Sequence, residues 1–122
     1  MGWAKNYIDK LNAGEVVRFR PKGNSMLPLI KSGELCTVVP THGLAGAYVT
    51  KDDIVLCKVN GNEYLHKVLA VKIHLKLTEI DAAVKSGRPN DKNEFQIGNN
   101  KGHVNGWIKG THIYGKLIKV EP

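Results

Sequence analysis

The sequence lacks the usual signals for disulfide cross-links, for secretion and for membrane insertion. Its two cysteines, Cys36 and Cys57, form no CxxC pair, so neither a disulfide framework nor a zinc motif is indicated. Each lies in an apolar run, which is typical of a buried thiol. The longest uncharged stretch, residues 35–50, is too short and too rich in Pro and Gly to span a bilayer, and residues 3–11 are too polar for a signal peptide. We expect a cytoplasmic protein with no membrane contact and no metal or other cofactor.

The composition argues against disorder and against several domains. The chain has 122 residues, of which 42% are hydrophobic and 24% charged, enough to form a buried core. Eighteen Lys and Arg against eleven Asp and Glu give a net charge of +7, which favours anionic partners without specifying a fold. We expect one domain over residues 1–122, with a short helix in residues 1–14 and a β domain in residues 15–122.

Hydrophobic periodicity predicts a mainly β chain with a short N-terminal helix. Apolar side chains recur at helical spacing in residues 3–11. Asn60-Gly61, between apolar runs at residues 54–59 and 64–73, is the strongest short signal for a β-hairpin. Further strands are predicted at residues 17–20, 35–39, 95–97 and 113–120.

The remaining stretches are predicted as loops. Residues 86–93 are polar and indicate an exposed loop, and the Asn- and Gly-rich stretch between residues 97 and 113 is typical of another. No strand alternates regularly with a helix, which argues against a parallel sheet. We expect a coiled, partly closed β-sheet.

Ser25 is the candidate nucleophile. It follows a glycine-containing turn and precedes Pro28 by three residues, so its backbone is constrained and its hydroxyl can project from a loop. Its own N–H can point at an incoming carbonyl oxygen, as an oxyanion hole requires. The alternative is a turn or N-cap serine with no chemistry.

His66 is the candidate general base, because a neutral imidazole accepts protons near neutral pH. It lies in the second predicted strand of the hairpin, on the face shared with Tyr64 and Val68. A histidine in the middle of a strand is also often a packed or surface group, and spacing alone does not rank the five histidines.

Four sequence blocks together resemble the signal-peptidase/LexA-type serine peptidases. They read GNSMLPLIKSGE at residues 23–34, DIVL at 53–56, YLHKV at 64–68 and IGNN at 97–100. The resemblance implies a LexA/signal-peptidase-like domain in which Ser25 is the nucleophile and His66 occupies the general-base position. Histidine there is similar to the endoplasmic-reticulum and archaeal signal peptidases, whereas bacterial members use lysine. The chain resembles a stand-alone domain of the kind that phage and bacterial genomes encode.

The third member of a catalytic triad is missing from this pattern. Histidine-type signal peptidases carry Gly-Asp-Asn-Asn, where this sequence has Gly98-Asn99-Asn100. The resemblance places this loop near the site, so Asn99 or Asn100 is expected to orient His66, with Asp53 as a further candidate. Lys67 is a less suitable base, because adjacent strand residues point to opposite faces.

The expected oxyanion hole is formed by backbone, from the N–H of Ser25 with Met26 beside it. Bacterial signal peptidases often place a hydroxyl two residues before the nucleophile, and Gly23 supplies none. Without it, the backbone donors carry most of the stabilisation.

Two functions follow as expectations. The first is a serine endopeptidase that cleaves a peptide bond with a Ser-His dyad, acting on a peptide or protein laid along a strand edge. The second is a catalytically inactive domain of the same fold that binds DNA or a regulatory protein through basic residues such as Arg18, Arg20 and Lys22. LexA-like proteins often pair through their C-terminal strands, so residues 113–120 are a candidate homodimer edge.

Overall fold

The computed structural model describes residues 2–122. Its regular elements are, in chain order, α1 (Lys5–Asn12), β1 (Val17–Phe19), β2 (Leu35–Pro40), β3 (Ile54–Val59), β4 (Asn62–Lys72), α2 (Ile80–Lys85), β5 (Glu94–Gly98), β6 (Val104–Lys109) and β7 (Ile113–Glu121). Short 3-10 turns at Leu77–Glu79 and Gly110–His112 precede α2 and β7. None of the helices in residues 2–122 is long and apolar enough to cross a membrane.

The seven strands form one sheet in the order β1-β2-β7-β3-β4-β5-β6, and every neighbouring pair is antiparallel. This confirms the prediction of a mainly β chain with a short N-terminal helix. β7 lies between β2 and β3, but its ladder with β3 ends at Lys116, whereas its ladder with β2 continues to Glu121. Residues 117–121 therefore have a partner strand on one side only within the described chain.

The β3–β4 hairpin sets the position of His66. Asn60 and Gly61 have positive φ of 50° and 81°, as a two-residue turn matching the twist of its strands requires. The turn makes Val59 pair with Asn62, and counting along the ladder puts His66 opposite Val55. The predicted hairpin is confirmed.

Alternation along the strands supplies two hydrophobic clusters. On β3, Leu56 belongs to the cluster covered by α1, while Val55 and Cys57 belong to the other, with Phe95 and Ile97 of β5. α1 contributes its buried residues Ile8 and Leu11 to the first cluster, together with Ala4, which directly precedes the helix. Truncating a fully buried leucine such as Leu11 costs about 2–5 kcal/mol.

Both thiols lie inside these clusters and are unbonded to each other. Cys36 and Cys57 are fully buried and free, as the apolar runs around them predict. Burial raises the pKa of the Cys57 thiol to about 12 and raises that of Cys36 as well.

Two predicted loops contain regular structure or buried residues. The stretch between residues 97 and 113 holds β6, which pairs with β5 through a register shift near Gly106. The sequence does not predict this strand, because Asn105 and Gly106 have low strand propensity. In the predicted exposed loop 86–93, Asn90 and Asn93 are fully buried, since their amides bond backbone groups of neighbouring loops. α2 was also missed, because six residues are too few to show helical periodicity.

Candidate active site

Ser25 lies on an irregular turn between β1 and β2. The turn is closed by bonds from Leu27 N–H to Asn24 O and from Ile30 N–H to Met26 O, and the buried side chains of Met26 and Ile30 anchor it in the core. Ser25 itself is exposed. The anchored turn therefore holds the hydroxyl outward at the surface.

His66 lies near the middle of β4 and is buried, with only 8% of its surface exposed. Its Nε2 lies 3.1 Å from Ser25 Oγ, within the range in which a base can take a hydroxyl proton. The fold thus brings together two residues 41 positions apart in the chain, the pair that the sequence singles out as nucleophile and base.

Asn105, on β6, holds the other nitrogen of the imidazole. Its Oδ1 lies 2.7 Å from His66 Nδ1, so an Nδ1–H group donates to the amide oxygen. The lone pair is then on Nε2, facing Ser25 Oγ. Asn105 is not among the predicted site residues, because the sequence predicts a loop where β6 lies. The sequence feature that could have indicated Asn105 is its amide, five residues after the fourth sequence block.

The three residues predicted to support His66 bond elsewhere, which corrects that expectation. Asn99 Oδ1 accepts the backbone N–H groups of Lys101 and His103 and shapes its own loop. Asp53 Oδ2 accepts Thr50 N–H at 2.9 Å and pairs with Lys116 at 3.2 Å. Asn105 accepts the hydrogen bond from the imidazole instead, because the pairing of β5 with β6 brings Asn105 next to His66.

Instead of His66, Asn100 contacts the turn that carries Ser25. Its backbone N–H donates to Ser25 O at 3.1 Å, and its Nδ2 donates to Leu27 O at 2.8 Å. The loop after β5 therefore holds the turn that carries Ser25.

The environment of His66 favours the neutral imidazole. Burial lowers the pKa of His66 below its ordinary value; the hydrogen bond that His66 donates to Asn105 opposes this, and the nearby His103 adds to it. The Tyr64 ring stacks on the imidazole with 4.8 Å between centroids, which shields it from water and fixes its plane. A neutral imidazole at pH 7 is the form that accepts a proton.

Two backbone donors beside Ser25 are free. Within residues 2–122 the N–H groups of Ser25 and Met26 donate no hydrogen bond. Donors of this kind stabilise a developing oxyanion, and loss of one typically costs about 3 kcal/mol. Gly23 has no side chain to add a third donor, as expected from the sequence.

Lys67 is engaged away from the dyad. Its ammonium pairs with Asp52 at 3.5 Å, while the neighbouring His66 faces Ser25. The opposite orientation of adjacent strand residues accounts for the difference.

A pocket of about 490 Å³ opens beside the two residues. It lies between α1, the segment that follows β1 and the start of β4, and both Ser25 and His66 line it. Its size is in the range of ligand-binding clefts. The pocket therefore leaves room for part of a ligand next to Ser25 and His66.

Two other histidines are paired with carboxylates away from the pocket. His42 bonds Asp91 at 2.7 Å and His74 bonds Glu94 at 2.7 Å. In the part of the chain that the structure describes, no group of three or more His, Cys, Asp and Glu is arranged to hold a metal ion. Hydrogen bonds connect Ser25 to His66 and His66 to Asn105, an arrangement suited to proton transfer to and from a hydroxyl.

Comparison with known proteins adds no assignment: no family model matches the sequence, and no curated protein matches it.

Proposed function

We propose that this protein is a serine endopeptidase that uses a Ser-His dyad. The observation that carries the proposal is the 3.1 Å contact between Ser25 Oγ and His66 Nε2. The depressed pKa of His66 and the free N–H groups of Ser25 and Met26 support it. A hydroxyl, a neutral base and backbone donors are the groups that acyl transfer requires.

Acylation begins when His66 Nε2 takes the proton of Ser25 Oγ as that oxygen attacks the scissile carbonyl carbon. The oxyanion that forms is stabilised by the N–H groups of Ser25 and Met26. His66 then gives the proton to the leaving nitrogen, the C–N bond breaks, and an acyl-Ser25 ester remains.

Deacylation repeats the steps with water. His66 takes a proton from the water, whose oxygen adds to the acyl carbon; the ester C–O bond then breaks, and His66 returns the proton to Ser25 Oγ. Asn105 keeps the lone pair on Nε2 throughout by accepting from Nδ1–H. Its neutral amide leaves the charge of the imidazolium uncompensated, so we expect slow turnover.

We further propose that the domain is of the signal-peptidase/LexA type. The order of the four sequence blocks supports this, as does an antiparallel sheet with the serine on a turn and the histidine on a hairpin strand. The substrate is a peptide in extended form beside β1, an edge strand that leads into the Ser25 turn. Pairing of two copies through the C-terminal strand would use residues 117–121, which have a free side.

The test is covalent labelling of the wild-type protein with a fluorophosphonate, read as intact mass at pH 7.5. Wild type and Ser86→Ala gain one adduct each, because Ser86 is an exposed serine bonded to Ala83 O and absent from the pocket. Ser25→Ala gains none. Labelling of Ser25→Ala, or no labelling of wild type, would contradict the proposal.

Two observations favour a second function, a non-catalytic module of the same fold that binds DNA or a protein. Asn105 stands where a triad has a carboxylate, and the basic residues Arg18, on β1, and Lys22, just before the Ser25 turn, are exposed. Titration of a labelled DNA duplex at 50 and 150 mM salt tests it. Affinity that collapses at the higher salt indicates only a non-specific basic surface.

A further inference from the structure

The pocket beside Ser25 has an apolar wall built from three aromatic rings. Tyr7 stacks on Phe19 with 4.5 Å between centroids, and Trp3 lies 5.7 Å from Phe19. Trp3 keeps 51% of its surface exposed although its ring lines a cleft of about 490 Å³. Exposed aromatic surface in a concave site is a favourable place for a large apolar side chain.

Cations lie on the pocket wall formed by the segment after β1. Arg20 and Lys22 both line it, and Lys22 forms no ion pair within residues 2–122. Arg20 donates to Gly33 O at 2.9 Å, which fixes its position.

The single carboxylate in the pocket is already engaged. Glu63 Oε1 accepts the N–H of Ala4 at 2.9 Å, just before the first turn of α1. Two cations against this one engaged carboxylate, on a chain of net charge +7, make the pocket complementary to an acidic group.

We propose that this pocket selects peptides that carry a large apolar residue and, two positions further along, an acidic one, because in an extended peptide these two side chains point to the same side. The apolar side chain packs against Trp3, Tyr7 and Phe19, and the acidic side chain faces Lys22. This inference rests on the proposed peptidase function, because it names the substrate of that same site. Selection by the pocket is nevertheless a property of binding, so it is measurable without cleavage.

The experiment uses the full chain carrying Ser25→Ala, which binds without turnover, and Trp107→Phe, which leaves Trp3 as the sole tryptophan of the two in the sequence. Four acetylated, amidated hexapeptides are titrated by calorimetry. Each carries one pair of residues two positions apart, Phe-Glu, Ala-Glu, Phe-Gln or Phe-Lys, and alanine at every other position. Trp3 fluorescence is followed in parallel to locate the bound peptide.

We expect Phe-Glu to bind on the order of tenfold tighter than Ala-Glu, because the aromatic wall is unused by alanine. We expect it to exceed Phe-Gln by about threefold, as a partly exposed ion pair provides, and Phe-Lys to bind weakest. Lys22→Gln removes the preference for Glu over Gln, whereas Lys51→Gln, an exposed lysine outside the pocket, keeps it.

Equal affinities for Phe-Glu and Ala-Glu, a preference for Phe-Lys, or no binding of any peptide would overturn the inference. A different result overturns the proposed function. If the peptides bind with the expected preference but wild-type protein neither hydrolyses Phe-Glu nor takes up the fluorophosphonate, the pocket stands and the peptidase assignment fails.

Discussion

The two residues of the proposed dyad are held in different ways. His66 belongs to an eleven-residue strand with neighbours on both sides, and its place follows from the hairpin register. Ser25 lies on an exposed irregular turn, whose position depends on buried anchors and on bonds from Asn100. His66 is therefore fixed by the sheet, whereas Ser25 is fixed by contacts distant in the chain.

This difference has a consequence for the chemistry. The sheet shields the imidazole and depresses its pKa, while the turn leaves the hydroxyl open to a substrate. Changes at the strand should act on proton transfer, and changes at the turn on positioning. The following variants break or sharpen that contrast.

The largest effect is expected from removal of the base. His66→Gln keeps a polar side chain of similar reach but cannot carry a proton between oxygen and nitrogen. Peptide hydrolysis should fall by at least on the order of 10², since loss of the base is more costly than loss of the acid in well-studied triads. Hydrolysis of the Phe-Glu hexapeptide, measured by chromatography, checks this. Full activity with a folded circular-dichroism spectrum would contradict it.

A gain is expected at the residue that orients the base. Asn105→Asp keeps an acceptor for Nδ1–H and adds a charge that compensates the imidazolium. Because Asn105 already sets the tautomer, we expect a rise in kcat on the order of 10², less than the full acid-to-amide difference in triads. Steady-state kinetics measure the rise, and NMR titration should show a higher pKa for His66. Asn99→Asp serves as the control and should change neither, since Asn99 bonds only its own loop.

A smaller loss is expected at the turn. Asn100→Ala removes the bond from Nδ2 to Leu27 O but keeps the backbone bond to Ser25. We expect about 1 kcal/mol of lost stability and a lower kcat, while the pKa of His66 is unchanged. Urea unfolding and the pH profile of kcat/KM separate the two effects. A shifted pH profile would indicate that Asn100 acts on the base after all.

The stability of the fold should depend on pH through His66. Burial lowers the pKa of His66 in the folded state, so below the ordinary value of about 6.5 the unfolded chain binds the extra proton more readily. The free energy of unfolding should therefore fall as pH is lowered from about 6.5 through the folded-state pKa of His66. Urea titrations at several pH values test this, and His66→Gln should show a shallower decline. An identical decline in both proteins would argue against a buried neutral imidazole.

The smallest effect is expected from His103, whose charge disfavours protonation of His66. His103→Gln should move the acid limb of the kcat/KM profile to slightly higher pH. The matched variant His112→Gln lies on the 3-10 turn before β7 and should leave the profile unchanged. A shift to lower pH in His103→Gln would contradict the assigned sign.

Much of the fold is local and was therefore predictable. Asn60-Gly61 specifies a turn by itself, and with it the hairpin on which His66 lies. β6 was not predictable in this way, because Asn105 and Gly106 are weak strand formers and the strand is stabilised by its pairing with β5.

In the candidate site, too, the residues with a local sequence signal were predictable, and the one placed by strand pairing was not. Ser25 and His66 were recognisable from their sequence contexts, and the fold places them in contact. Asn105 was not, since its contact with His66 depends on the register of a strand that the sequence conceals. An amide close to the fourth sequence block is a reasonable candidate, but spacing along the chain does not distinguish Asn105 from Asn99 or Asn100.

The two buried thiols provide a built-in reporter of unfolding. With its pKa raised to about 12, Cys57 has almost no thiolate at neutral pH, and Cys36 is equally enclosed. Alkylating reagents should therefore react only when the chain opens. The rate of maleimide uptake then measures how often the native state opens. In the same sample, the fluorophosphonate adduct of the proposed test measures the fraction of chains in which Ser25 is reactive.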